Sequence, residues 1–151
     1  MSDKYVIGID PDSTAHGFSL YLNGHLDSLF SLTLVEIMSY IDDCFEGEES
    51  AITVHIEDVC ANNAAFKKGG VANARAGTAI NRSIGKCQQS QIELERLFAF
   101  YQIKVVKHKI SKKWKDAKSG KAEFERLTGW AGSSNEDTRS AAYFGYLGSR
   151  P

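Results

Sequence analysis

The chain has 151 residues, 42% of them apolar and 11% aromatic, enough for one domain with a true core and too many for a disordered segment. It carries no run of about 18 apolar residues and no charged-then-apolar leader, so neither a membrane span nor a secretion signal is expected. Cys44, Cys60 and Cys87 are odd in number and far apart, which argues against a disulfide framework or a cysteine zinc site and fits a reducing, cytoplasmic setting, bacterial or viral.

The formal net charge of −1 hides a division along the chain. Residues 1–58 hold 12 of the 19 acids and one base, Lys4, which leaves 7 acids against 17 lysines and arginines. The densest basic stretch contains Lys104, Lys107, Lys109, Lys112, Lys113, Lys115, Lys118 and Lys121, opposed by Asp116. Such a run reads either as a solvated face or, with Trp114 inside it, as a surface for nucleic-acid phosphates.

In chain order, residues 5–10 predict a short strand, and residues 16–22 and 26–34, joined by Asn23-Gly24, predict a hairpin. Val35, Met38, Ile41 and Phe45 recur at helical spacing over residues 35–45. Residues 51–56 return as a buried strand that ends at Glu57. The polar segment 61–70, with Lys67-Lys68 and Gly69-Gly70, predicts a loop. The longest helical signal covers residues 71–101, with Ile80, Ile84, Cys87, Leu94 and Phe98 toward one face. Its first half carries Ala72, Ala76, Gly77 and Gly85, small enough to admit a second backbone. A strand over 103–106, helical segments over 110–115 and 121–127, and a last helix over 135–147 complete the chain. The order β-β-β-α-β-α-β-α predicts an α/β domain spanning residues 1–151, a mixed five-stranded sheet flanked by helices.

Three acids stand where such elements end. Asp10 closes the first strand in Ile7-Gly8-Ile9-Asp10-Pro11, where Gly8 permits close approach and Pro11 stops the ladder. It reads as a rim carboxylate or as the start of a turn. Glu57 follows the apolar strand at the point where the chain leaves the core, as a ligand or as an ordinary strand-end acid. Should the two strands be neighbours, their like charges need a cation to coexist. Asp137 falls in the first turn of the last helix, where the helix dipole alone favours an acid and Ser133 and Glu136 have capping-box spacing. Oxygen ligands from separate elements, with no cluster among His16, His25, His55 and His108, point to magnesium or manganese rather than zinc.

With these residues in view, the sequence resembles the RuvC-type Holliday-junction resolvases of the RNase H-like superfamily. Residues 7–18, opening Ile7-Gly8-Ile9-Asp10-Pro11, are similar to the family's GIDPGS opening; His55-Ile56-Glu57-Asp58-Val59 resembles its Ile-Glu-x-Val motif. Asp137-Thr138-Arg139-Ser140-Ala141 resembles its final Asp-x-x-Asp-Ala. There are departures. Asp12 replaces a Gly, Ser140 stands where a fourth carboxylate is usual, and Cys60 replaces an aromatic, with Phe66 on the nearby loop reading either as a base-stacking substitute or as a plain packing residue.

The resemblance implies an RNase H-like fold and two-metal hydrolysis of a phosphodiester in four-way or otherwise branched DNA. It implies that Asp10 bridges two magnesium ions, for which manganese substitutes, that Glu57 holds one and that Asp137, with Glu136 or Ser140 beside it, holds the other. Lys113 and Lys121 are similar to the basic residues placed near the scissile phosphate. Lys67, Lys68, Lys112, Lys115 and Lys118 join them as expected DNA contacts. A two-fold homodimer is implied too, with the long helix as candidate interface. Three other readings stay open: a non-catalytic binder of branched DNA, a relative cutting RNA or linear DNA, and an actin-like ATPase. The last needs a second Gly-rich domain that the chain has no length for.

Overall fold

The computed structural model describes residues 4–61 and 74–150, the stretch 74–80 as backbone. Three strands open it, β1 (Tyr5–Asp10), β2 (His16–Leu22) and β3 (His25–Leu32). Helix α1 (Leu34–Phe45), β4 (Ile52–Glu57), α2 (Ala74–Phe100), β5 (Lys104–His108), α3 (Ser119–Thr128) and α4 (Glu136–Ser149) follow. The sheet order is β3-β2-β1-β4-β5. β2 runs antiparallel to both neighbours, whereas β1, β4 and β5 are mutually parallel. This is the expected mixed five-stranded sheet flanked by helices.

Alternation along the strands divides the side chains between two faces. One face sends Ile7, Ile9, Phe18, Leu20, Ile52, Val54 and Ile56 against Ile37, Ile41 and Phe45 of α1 and Leu94 and Phe98 of α2. Each such side chain contributes about 1.5–3 kcal/mol when fully buried. The other face takes α4, with Gly8, Gly17 and Ser19 giving it room. A Cβ on Gly8 would overlap the Ala141 carbonyl oxygen and lie 2.5 Å from the Gly145 nitrogen, so helix backbone rests directly on strand backbone. Ser19 Oγ donates to the Ala141 carbonyl at 2.9 Å and the Tyr21 hydroxyl to that of Ala142 at 2.6 Å, which satisfies both buried hydroxyls.

Four sequence expectations need correction. The buried stripe of α1 is Ile37, Ile41 and Phe45, whereas Val35 (64%) and Met38 (39%) are exposed. Both stripes have helical spacing, and the one continuous with Leu34 faces the sheet. The capping box of α4 is Asn135 with Thr138 rather than Ser133 with Glu136: Asn135 Oδ1 accepts from the Thr138 amide and Thr138 Oγ1 from the Asn135 amide, both at 2.9 Å. Residues 110–112 are irregular and 113–115 form a turn rather than a helix, because Trp114 adopts a left-handed backbone, φ 69°. Its indole is 2% exposed beside Phe124, Tyr143 and Tyr146, a core residue with no face left for DNA.

Candidate functional site

The strand register places the first two acids. β1 and β4 run parallel with Ile9 opposite Ile56, so Asp10 and Glu57 emerge together one residue later at the same end of the sheet. Both point to the face covered by α4. They are 5% and 4% exposed, and Asp10 Oδ2 and Glu57 Oε2 are buried with no hydrogen-bond donor. An orphaned buried carboxylate oxygen is costly, and two together are costlier. Burial pushes the Asp10 carboxyl up to about 6; Lys115 and the Ser140 hydroxyl oppose this and Asp137 and Asp12 add to it. Burial pushes Glu57 up to about 7, with the Asp10 charge raising it further against Lys115.

These directions make a stability prediction for the metal-free protein. Both folded-state values lie above the ordinary carboxylate range, so the stabilising protonated forms are present below about pH 4 and lost as pH rises through 6 and 7. In chelator, the melting temperature of Glu57→Gln should therefore exceed that of the parent by several degrees at pH 8 and by little at pH 4. An equal difference at both pH values would show that the carboxylate carries no burial penalty.

Asp137 lies in the first turn of α4, half-buried, its carboxyl raised by burial and then by Asp12. Gly17 is what lets it come so near. Gly17 pairs with Asp10 in the β1–β2 ladder, and a Cβ there would overlap the Asp137 carbonyl oxygen and stand 3.3 Å from Asp10 Cβ. Ser140, one turn on, is 1% exposed, and its Oγ has no partner within hydrogen-bond geometry although it is near enough to hold the Asp10 carboxyl down. Glu136 is exposed and lines a cleft of about 500 Å³ with Lys112, Lys115 and Asp116. Among the described residues, no three His, Cys, Asp or Glu side chains close around one point as a ready-made metal site. What is present is a pair of buried carboxylates with a third acid and a hydroxyl alongside.

The lysine that reaches these acids is Lys115, its ammonium 3.7 Å from Asp10 Oδ2. Lys112, Lys113, Lys118 and Lys121 are exposed, and of these Lys112 lines the same cleft as Lys115. Lys67, Lys68 and Phe66 lie outside the described residues. The sequence reading missed Arg139, which is 5% exposed and donates to the carbonyls of Trp114 and Lys115 and to Ser134. It also missed that His55 and His108 sit on adjacent strands, ring nitrogens 2.7 Å apart. The signal for Arg139 was its place among the small and apolar residues Ala141, Ala142, Phe144 and Gly145 that the same helix buries.

No helix among the described residues is long and apolar enough to cross a membrane. No protein-family model matches the chain and no curated protein matches it in sequence. Among solved structures it superposes on T. thermophilus RuvC, determined in complex with a Holliday junction substrate, over 94% of this chain and 90% of that one. The TM-score is 0.58 at 11% identity, and on that likeness the chain has the RNase H-like fold of RuvC.

Proposed function

We propose that this protein is a magnesium-dependent endonuclease that resolves four-way or other branched DNA junctions. The observation that carries the reading is the pair of buried, donor-less oxygens on Asp10 and Glu57, at one sheet end of a fold shared with a junction-bound RuvC. The unpartnered atoms on Asp10, Glu57 and Ser140 are hard oxygens, which fits magnesium or manganese. Asp10 and Glu57 would hold the ion with Asp137, and Ser140 would hydrogen-bond water in its shell. Such an ion acidifies the attacking water and neutralises charge on the leaving 3′ oxygen.

The chain's own residues do the rest. Lys112 and Lys115 line the cleft beside Asp10 and give the cleaved strand a cationic path. Lys113, Lys118 and Lys121 extend it as phosphate contacts. Two copies related by a two-fold axis would present two such sites to symmetric strands, and the proposed assembly is a homodimer.

A second reading, a binder of branched DNA that does not cut, is favoured by Ser140 in the fourth-carboxylate position and by the lack of a ready-made three-ligand site among the described residues. One panel separates the two. Four-way, three-way, flap and linear substrates are incubated with magnesium, manganese or chelator. Cleavage of branched substrates with either metal and none in chelator is the expected result; tight junction binding without cleavage in any metal would establish the second reading.

A further inference from the structure

We propose that Lys115 is an internal counter-ion for the Asp10–Glu57 pair, held there by Arg139, and that a divalent cation displaces its ammonium toward the bound phosphate. The inference rests on the metal-dependent reading above. Apart from Lys115, the lysines with an ion pair among the described residues are Lys4, with Glu48, and Lys107, with Glu95, both more exposed and neither paired with a carboxylate of the cluster. The Lys115 side chain is 24% exposed, pairs with Asp10 and is within the electrostatic influence of Glu57, Glu136 and Asp137. At 3.7 Å it forms an ion pair without a close hydrogen bond, an arrangement that can yield.

Its backbone is far more constrained than a solvated lysine needs. Arg139 donates through Nε to the Trp114 carbonyl at 2.8 Å, through Nη2 to the Lys115 carbonyl at 2.7 Å and through Nη1 to Ser134 Oγ at 3.1 Å. The left-handed conformation at Trp114, costly by about 1 kcal/mol or more for a bulky residue, is maintained because the indole is buried and its carbonyl is taken. Beyond it, Asp116 accepts from the Lys118 and Gly120 amides and fixes the other side of the turn. Arg139 is thus a positioning residue acting through Lys115.

An ammonium and a divalent cation beside the same carboxylates repel one another, so each weakens the other's hold. Removing the ammonium should tighten magnesium binding while slowing cleavage, which loses a charge on the phosphate. A merely structural role would weaken both. The test is magnesium titration followed by thermal melting of the full chain, without DNA. Lys115→Met is expected to lower the magnesium midpoint by about fivefold or more. Arg139→Gln should shift it the same way, Arg139→Lys less, and Lys104→Met, on exposed β5 surface, not at all. If Arg139→Gln does not fold, Lys115→Met decides alone. A magnesium response in the parent with an unchanged or raised midpoint in Lys115→Met overturns this inference alone. No magnesium response in the parent overturns the metal-dependent reading and this inference with it.

Discussion

Asp10→Asn is expected to lower junction cleavage by about a thousandfold or more while leaving junction binding within a few fold. A metal ion supplies several kcal/mol of transition-state stabilisation, and about 4 kcal/mol corresponds to that factor. The substitution keeps the volume of the side chain and removes its charge. Because Asp10 is buried, with an oxygen that finds no donor, the neutral amide relieves a penalty in the metal-free fold. Lost activity in a protein no less stable in chelator is then a statement about chemistry. Glu57→Gln and Asp137→Asn should behave alike. Glu136→Gln should not, since Glu136 is exposed on the cleft wall and the helix cap it was expected to form belongs to Asn135 and Thr138. Binding persists in all four because the phosphate contacts proposed here lie on the lysines of residues 112–121. Undiminished cleavage by Asp10→Asn would sink the mechanism. Inactive Glu136→Gln with active Asp137→Asn would move the third ligand by one residue.

The arrangement of acids was readable because strand ends are readable. An apolar run stopping at Asp10-Pro11 and another stopping at Glu57 need only be adjacent and parallel to meet, and the register makes them so. Gly8 announced a close approach, and the helix backbone lies on it. Features that depend on contacts across many residues were not readable. The lysine that reaches Asp10 is chosen by a left-handed Trp114 and by an arginine 24 and 25 residues further on whose guanidinium binds two carbonyls. Neither leaves a periodic trace, and the Lys-rich spacing of residues 112–115 instead imitates a helix. Trp114 inside a basic run suggested a phosphate-binding surface for the same reason. Only its packing against Phe124, Tyr143 and Tyr146 shows it to be core. The α1 stripe failed differently, because two apolar sets at helical spacing start one residue apart and the sheet selects one.

Gly17→Ala should cost about a hundredfold in cleavage, an effect out of proportion to its loss of stability. The added methyl would overlap the Asp137 carbonyl oxygen, lie 2.6 Å from the Asp137 carbonyl carbon and touch Asp10 Cβ at 3.3 Å. Those neighbours are backbone and the buried base of a short side chain, so neither can rotate away. The first turn of α4 must move outward, carrying Asp137 away from Asp10 and Glu57, and a displacement of about 1 Å at a reacting centre is enough for a hundredfold loss. Overpacking of this kind costs about 1–3 kcal/mol in stability, so the variant should still fold. Gly145→Ala supplies the comparison. Its methyl would lie 2.6–2.8 Å from Tyr21 and Ser19 side-chain atoms, similarly tight, but eight residues further along α4, about 12 Å from Asp137 at 1.5 Å per residue. Melting temperatures of the two variants should fall by comparable amounts, while Gly145→Ala keeps most of its cleavage and its magnesium-induced stabilisation and Gly17→Ala loses both. If Gly17→Ala cuts junctions as well as Gly145→Ala, then the position of the α4 first turn against β1 and β2 does not set the geometry of the carboxylates, and Asp137 is not part of the metal site.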